Sequence, residues 1–186
     1  RDVIYDFFAQ TPGNPLTADR LDFYPIQADF GTTTQEFHIG LASVATPGAV
    51  RGIFRIHQDL GTLPMTELVQ PAVEAARHGV TMSAFQASIL KIIAPILTAT
   101  EPVRQQYQGP EQSGSLVNKG ELFKQSQLAY FLEALAREGS ELFYQGEIAQ
   151  AISDMCTHGG GQLTRQDLAK YQVELRRPVR LRYQQH

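Results

Sequence analysis

Residues 45–83 read ATPGAVRGIFRIHQDLGTLPMTELVQPAVEAARHGVTMS, the longest coherent apolar pattern in the chain. Thr46 is placed to cap a helix, with Pro47 at the first helical position, where its missing N–H costs nothing. Val50, Ile53, Phe54, His57 and Leu60 follow at i, i+3, i+4, i+7 and i+10 and share one helical face. Gly61 ends that helix. Pro64 opens a second helix that Gly79 closes, and Pro71 inside it predicts a kink or a break.

Downstream, Ser83 caps a third helix with Phe85, Ile89, Ile92, Ile93 and Ile96 as its stripe, and Pro95 removes one hydrogen bond near its end. Residues 100–120, rich in Gln, Gly and Ser, read as a polar connector. Ser126 opens a fourth helix (Leu128, Phe131, Leu132, Leu135) that closes near Gly139, and residues 141–144 form a short turn. Residues 147–157 give a fifth helix with Ile148, Ile152 and Met155. The run 159–161, Gly-Gly-Gly, breaks it as a flexible stop, and Thr164-Arg165-Gln166-Asp167 has the form of a capping box.

Upstream, residues 1–8 are apolar on both faces and predict a buried strand. Residues 11–15 turn, 31–34 form a loop, and 36–41 form a short strand. At the far end Val179, Leu181 and Tyr183 alternate with Arg180 and Arg182, the pattern of a half-buried strand. Strands at both ends that pair with each other, with helices between, make the fold class α+β, and residues 1–186 read as one domain. An αββα sandwich is one layered form this takes. The opening RDVIYDFF reads as the inside of a strand, so the expected natural N-terminus lies upstream.

Composition narrows function mainly by exclusion. The hydrophobic share is 42%, the charged share 19% and the formal net charge −3, which argues for neither a nucleic-acid nor a membrane-surface partner. No run approaches the ~18 apolar residues of a membrane span. The single cysteine, Cys156, cannot form an internal disulfide and reads as core. His57 lies on an apolar face with no His, Cys or carboxylate at matching spacing, so it reads as a buried, hydrogen-bonded core residue. His38, His78 and His158 are equally isolated, and no metal site is assigned. The glycine run lacks the Lys-Ser/Thr context of a phosphate loop. Arg176, Arg177, Arg180 and Arg182 read as the solvent face of a strand. No Ser or Thr occupies a recognisable nucleophile elbow.

The stretch SVATPGAVRGIFRIHQDLGTLPMTELVQPAVEAARHGVTMS resembles the large-subunit helical region of the gamma-glutamyltranspeptidases. That family shows the order Pro-Gly, Gly, His, Leu-Gly-x-Leu-Pro, Pro-Ala, Ala and Gly. Further matches are Gln127-Leu128-Ala129, Gly139, Phe143-Tyr144-Gln145-Gly146, Ile148-Ala149, Gly160-Gly161, and Leu163-Thr164 with Asp167-Leu168 and Tyr171. The resemblance implies a fragment of an αββα N-terminal nucleophile hydrolase, a precursor that cleaves itself into two subunits. It implies that an N-terminal Thr of the small subunit transfers or hydrolyses gamma-glutamyl groups, for instance from glutathione, through an acyl-enzyme. The α-amino group of that Thr serves as base. The implied partners are the small subunit of the same precursor and a small-molecule gamma-glutamyl substrate. No cofactor is implied, and members are commonly periplasmic or secreted.

The family's cleavage site and nucleophile have no match in this chain, so the fragment alone is expected to be inactive. The glycine-rich segment preceding the family's first strand has no match either. The family's Asp-x-Arg-Glu-x-Ala-Pro motif aligns with Asp6-Phe7-Phe8-Ala9-Gln10-Thr11-Pro12, so Phe8 stands where the carboxylate-binding arginine belongs. A phenyl ring offers no bidentate donor pair. Losing that contact costs ~2–3 kcal/mol, a factor of roughly 30 to 150 in affinity. Three readings follow: a gamma-glutamyl enzyme in which another cation compensates, an acylase-type homologue acting on a different amide, and a non-catalytic helical binding module.

Overall fold

A computed structural model describes residues 2–110, 114–181 and 183. Strand β1 (Ile4–Asp6) leads to the hairpin β2 (Tyr24–Asp29) and β3 (Thr34–Ile39), then to helices α1 (Ala49–Leu60) and α2 (Met65–His78). The short β4 (Val80–Thr81), α3 (Ala84–Ile92), α4 (Ala94–Leu97), α5 (Glu101–Tyr107) and β5 (Leu122–Phe123) follow. The chain continues through α6 (Ser126–Glu138), α7 (Glu141–Tyr144), α8 (Glu147–Gly159) and α9 (Arg165–Lys170) to β6 (Glu174–Arg176). Among the described residues the strands form three antiparallel pairs, β1 with β6, β2 with β3 and β4 with β5. The N-terminal strand does find an antiparallel partner near the far end of the chain, with Tyr5 opposite Leu175, but that partner is Glu174–Arg176 and not the expected strand around Val179–Tyr183.

The principal core is built by Tyr144, Ala149, Cys156, Leu163, Leu168 and Tyr171, with Val50, Phe143, Ile152 and Val173 packed around it. A smaller core holds Met82, Ala87 and Val117. Helices α2 and α6 lie side by side, burying Val73, Ala129 and Leu135. An Arg77–Glu133 ion pair at 2.7 Å bridges them.

Helix boundaries largely follow the sequence. Gly61, Gly79 and Gly139 are C-caps. Ser83 with Gln86, and Thr164 with Asp167, form complete capping boxes. Thr46 does not cap α1. Its N–H and C=O exchange hydrogen bonds with Gln10 at 2.8 and 3.1 Å, which ties it to the chain's N-terminal segment. The helix begins two residues beyond Pro47, capped by Gly48. Helix α2 runs unbroken through Pro71, which is exposed, so the carbonyl left without its usual partner lies on the solvent side. The connector at 100–120 contains α5, and its Val117 is core. The loop at 31–34 is a tighter turn than expected, since Phe30 N–H reaches Thr33 O at 2.9 Å and Thr34 already begins β3.

Several apolar stripes are not buried. Ile53 and Leu60 of α1, Phe85 and Ile89 of α3, and Met155 of α8 are exposed. The buried contact of α3 is instead Ala87, because that face meets Met82 and Val117. In place of the expected buried strand at 1–8, the described residues form the three-residue strand Ile4–Asp6; Ile4 and the preceding Val3 are exposed, since β6 is the one paired neighbour of this strand among the described residues. Val179, Leu181 and Tyr183 belong to no strand there and are exposed; Arg182 lies outside the described residues.

The glycine run is a tight joint rather than a flexible stop. Gly160 is left-handed at φ 82°, its carbonyl accepts from Asp22 N–H at 3.0 Å, and a Cβ there would lie 2.7 Å from Arg20 O. Asp22 in turn accepts from Leu41 N–H through Oδ2 at 2.7 Å, so α8 is locked to the base of the β2–β3 hairpin. Gly160→Ala in the full-length protein should therefore cost roughly 2–4 kcal/mol, the sum of backbone strain and overlap. Gly31→Ala, with a similar φ but nothing within 4 Å, should cost only the strain, about 1 kcal/mol. Thermal denaturation of the two variants side by side measures the difference.

Candidate functional site

The chain around Phe8 lies at the surface, yet its backbone is held at five points. Phe8 N–H donates to Asp6 Oδ1 at 3.1 Å, and Arg176 Nε donates to Asp6 Oδ2 at 2.5 Å. The Tyr171 hydroxyl donates to the Phe8 carbonyl at 2.9 Å. Gln10 is tied to Thr46, and Gly13 N–H donates to Asp167 Oδ1 at 2.9 Å. Phe7 turns inward onto Gly52 of α1, where a Cβ would sit 2.2 Å from Phe7 Cγ. Phe8 is 83% exposed. A fixed backbone thus presents an apolar ring to the surroundings.

The electrostatics follow from these contacts. The Phe8 N–H and then the Arg176 guanidinium hold the Asp6 carboxyl below its ordinary range. Burial alone would raise Asp167, but hydrogen bonds from the Thr164 side chain, Gly13 N–H and Thr164 N–H outweigh it and lower its pKa. Burial raises the Tyr171 hydroxyl, helped by its neighbours Tyr144 and Asp6, so it stays a proton donor.

Beside this segment a cleft of about 780 Å³ is lined by residues including Arg51, Arg55, His57, Glu141, Tyr171 and Gln172. Its charges are already paired. Arg51 contacts Glu141 and Ser140 and lies 4.3 Å over the Tyr144 ring, while Arg55 pairs with Asp59 at 2.9 Å. A second groove of about 570 Å³, almost wholly apolar, runs between α1, α2 and α6 and is lined by Ile53, Leu60, Leu68 and Phe131 among others.

His57 is hydrogen-bonded as expected, with Nε2 2.7 Å from Leu63 O, but it is half-buried between the two hollows rather than enclosed. His38 stacks on Phe23 at 4.7 Å and His158 Nδ1 contacts Asp154 O at 2.7 Å. His78 is exposed at the end of α2. Among the described residues no group of three His, Cys, Asp or Glu side chains could hold a metal ion, and no helix is long and apolar enough to cross a membrane. Cys156 is core, and burial raises its thiol. Arg176 is more than a solvent-facing charge, because it grips Asp6; Arg180 pairs with Asp2 at 2.6 Å.

Sequence reasoning missed Tyr171, Gly48 and the Arg176–Asp6 pair as parts of this site. Their partners lie at separations as large as 170 residues, so no local periodicity could reveal them. The available signal was the resemblance, in which Tyr171 and the Pro-Gly at 47–48 are matching positions.

The family model described as Gamma-glutamyltranspeptidase matches residues 8–186. The acylase ACY 1 proenzyme of Pseudomonas sp. (strain V22) is 31% identical over 185 residues, covering 98% of this chain and 32% of that protein. The glutathione hydrolase proenzyme of Escherichia coli (strain K12) is 33% identical over 135 residues, covering 72% of this chain and 23% of that protein. The crystal structure of Helicobacter pylori gamma-glutamyltranspeptidase superposes with a TM-score of 0.82 at 26% identity, covering 100% of this chain and 51% of that one. The chain spans about a third of the length of the acylase and about a quarter of the hydrolase. The fold is thus an α+β portion of an N-terminal nucleophile hydrolase, as the resemblance implied.

The Asp6 contacts carry a pH dependence. Because the folded carboxyl sits below its ordinary value of about 3.9, its contribution is complete above that value and is lost as pH falls through the depressed one. The full-length protein should lose Tm more steeply than its Asp6→Asn variant as pH falls below about 4, as followed by differential scanning fluorimetry. Equal slopes would show that the Asp6 charge contributes nothing.

Proposed function

The chain belongs to the gamma-glutamyltranspeptidase family, and on that premise we propose that the full protein is an amide acyl hydrolase or transferase of the acylase type. In this reading an N-terminal Thr or Ser, carried on a subunit outside this chain, attacks the amide carbonyl of the donor. Its own α-amino group takes the proton, the amine leaves, and water or a second amine resolves the acyl-enzyme. Residues 6–13 supply part of the wall against which the acyl donor lies. The reaction calls for no metal or organic cofactor.

The observation that carries the acylase reading is Phe8. Its ring is exposed on a backbone that cannot readily turn it away, and a phenyl group favours an apolar acyl chain over an α-carboxylate. The similarity to the acylase ACY 1 proenzyme over 98% of the chain supports it. A second reading, transfer or hydrolysis of a gamma-glutamyl group, is favoured by Arg176. That guanidinium pairs with the Asp6 carboxylate, two residues along the chain from Phe8, and in this reading it serves as the compensating cation.

Kinetics of the full-length protein on an aliphatic acyl anilide and on a gamma-glutamyl anilide separate the two. The acylase reading expects the aliphatic donor to be preferred, and Phe8→Arg to raise gamma-glutamyl kcat/KM by roughly 30- to 150-fold. A wild-type preference for the gamma-glutamyl donor that is lost in Arg176→Gln would establish the second reading instead. A precursor that never cleaves ahead of a Thr or Ser would remove both and leave a binding module.

A further inference from the structure

Helix α9 and the residue that follows it grip the Phe8 segment at two places. Asp167, the N3 residue of its capping box, binds Gly13 N–H at 2.9 Å, and Tyr171, its C-cap, binds the Phe8 carbonyl at 2.9 Å. Tyr171 is 2% exposed and stacks on the equally buried Tyr144, with ring centroids 5.8 Å apart and planes at 19°. Tyr144 is itself anchored, donating its hydroxyl to Pro47 O at 2.7 Å and accepting Arg51 N–H at 3.1 Å. Gly48 completes the arrangement. A Cβ there would lie 2.0 Å from the Tyr171 oxygen and 2.1 Å from Phe7 O, so the hydroxyl reaches Phe8 only because residue 48 has no side chain.

We propose that Tyr171 is a positioning residue for the acyl-donor site: its hydroxyl holds the Phe8 carbonyl and so fixes where the position-8 side chain meets the donor. This rests on the reading above that position 8 faces the donor. The geometry separates two roles of one residue. The ring builds core against Tyr144, whereas the hydroxyl makes a single directional contact to a surface segment. Removing the oxygen alone leaves the stack intact and frees the Phe8 carbonyl, which can then hydrogen-bond water in the exposed segment. The effect is assigned to donor binding rather than to the chemical step, because the contact of the hydroxyl is to the Phe8 carbonyl and, in the function proposed above, the nucleophile is carried on another subunit.

The test is Tyr171→Phe in the full-length precursor, with kcat normalised by active-site titration. The expected result is normal maturation, a Tm within about 2 °C of wild type, a donor KM raised about 5- to 10-fold and kcat within about twofold. Gly48→Ala, which drives a methyl into the same contact, should show the same rise in KM with an added loss of Tm. An unchanged KM in Tyr171→Phe overturns the proposal. Failure of that variant to mature overturns it too, since the hydroxyl would then be structural. Phe8→Ala separates this from the parent reading. If it also leaves KM unchanged, position 8 is not at the donor; if it alone changes KM, only the role of Tyr171 falls.

Discussion

Two buried tyrosines hold this structure together. Tyr144 and Tyr171 stack face to face, and each spends its hydroxyl on a backbone carbonyl, Tyr144 on Pro47 and Tyr171 on Phe8. A buried phenol without a partner is costly, so each contact is as much a demand as a gain. Between them they join the entry to α1, the end of α9 and the first segment of the chain. Leu168, Leu163, Cys156 and Ala149 close around the pair, which makes it the centre of the larger core.

Close backbone approach is the companion constraint. Gly48 lets the Tyr171 hydroxyl through, Gly52 receives the Phe7 ring, and Gly160 lets α8 meet the hairpin at Asp22. At each of these positions the neighbour lies within 3 Å of where a Cβ would stand, and two of those neighbours are backbone carbonyls that cannot yield. The glycines therefore act less as hinges than as contact points. Rigidity at the Phe8 segment comes from this geometry together with the Asp6–Arg176 and Asp167–Gly13 contacts, even though much of the segment is at the surface.

The exposed apolar side chains have a different cause. Ile53 and Leu60 flank the groove between α1, α2 and α6, and Phe85, Leu181 and Tyr183 stand elsewhere on the surface. The pattern that made α1 and α3 look like core helices is genuine, since amphipathic spacing reports a face that avoids water. It does not report which neighbour covers that face. Within the described residues each stripe is only partly covered: Val50, Phe54 and His57 on α1 and Ile92, Ile93 and Ile96 at and beyond the end of α3 are half-buried, while the fully buried residues, Gly52 and Ala87, lie off the stripes.

What the sequence determined by itself was local, together with what family likeness carried. Proline and glycine at 61, 64, 79 and 139 set helix limits because they act through their own φ and missing groups. Ser83 and Thr164 capped because their partners stand three residues away. Phe8 stood out only through the resemblance, because the motif it is compared with is contiguous. Tertiary structure decided the rest. Thr46 looked like a cap but pairs with Gln10, Arg176 looked like a solvent charge but holds Asp6, and the glycine run looked flexible but is a packed joint. In each case the deciding partner lies tens of residues away or more. A hydrogen bond across such a separation leaves no periodic trace, because it depends on where the chain returns and not on the residues beside it.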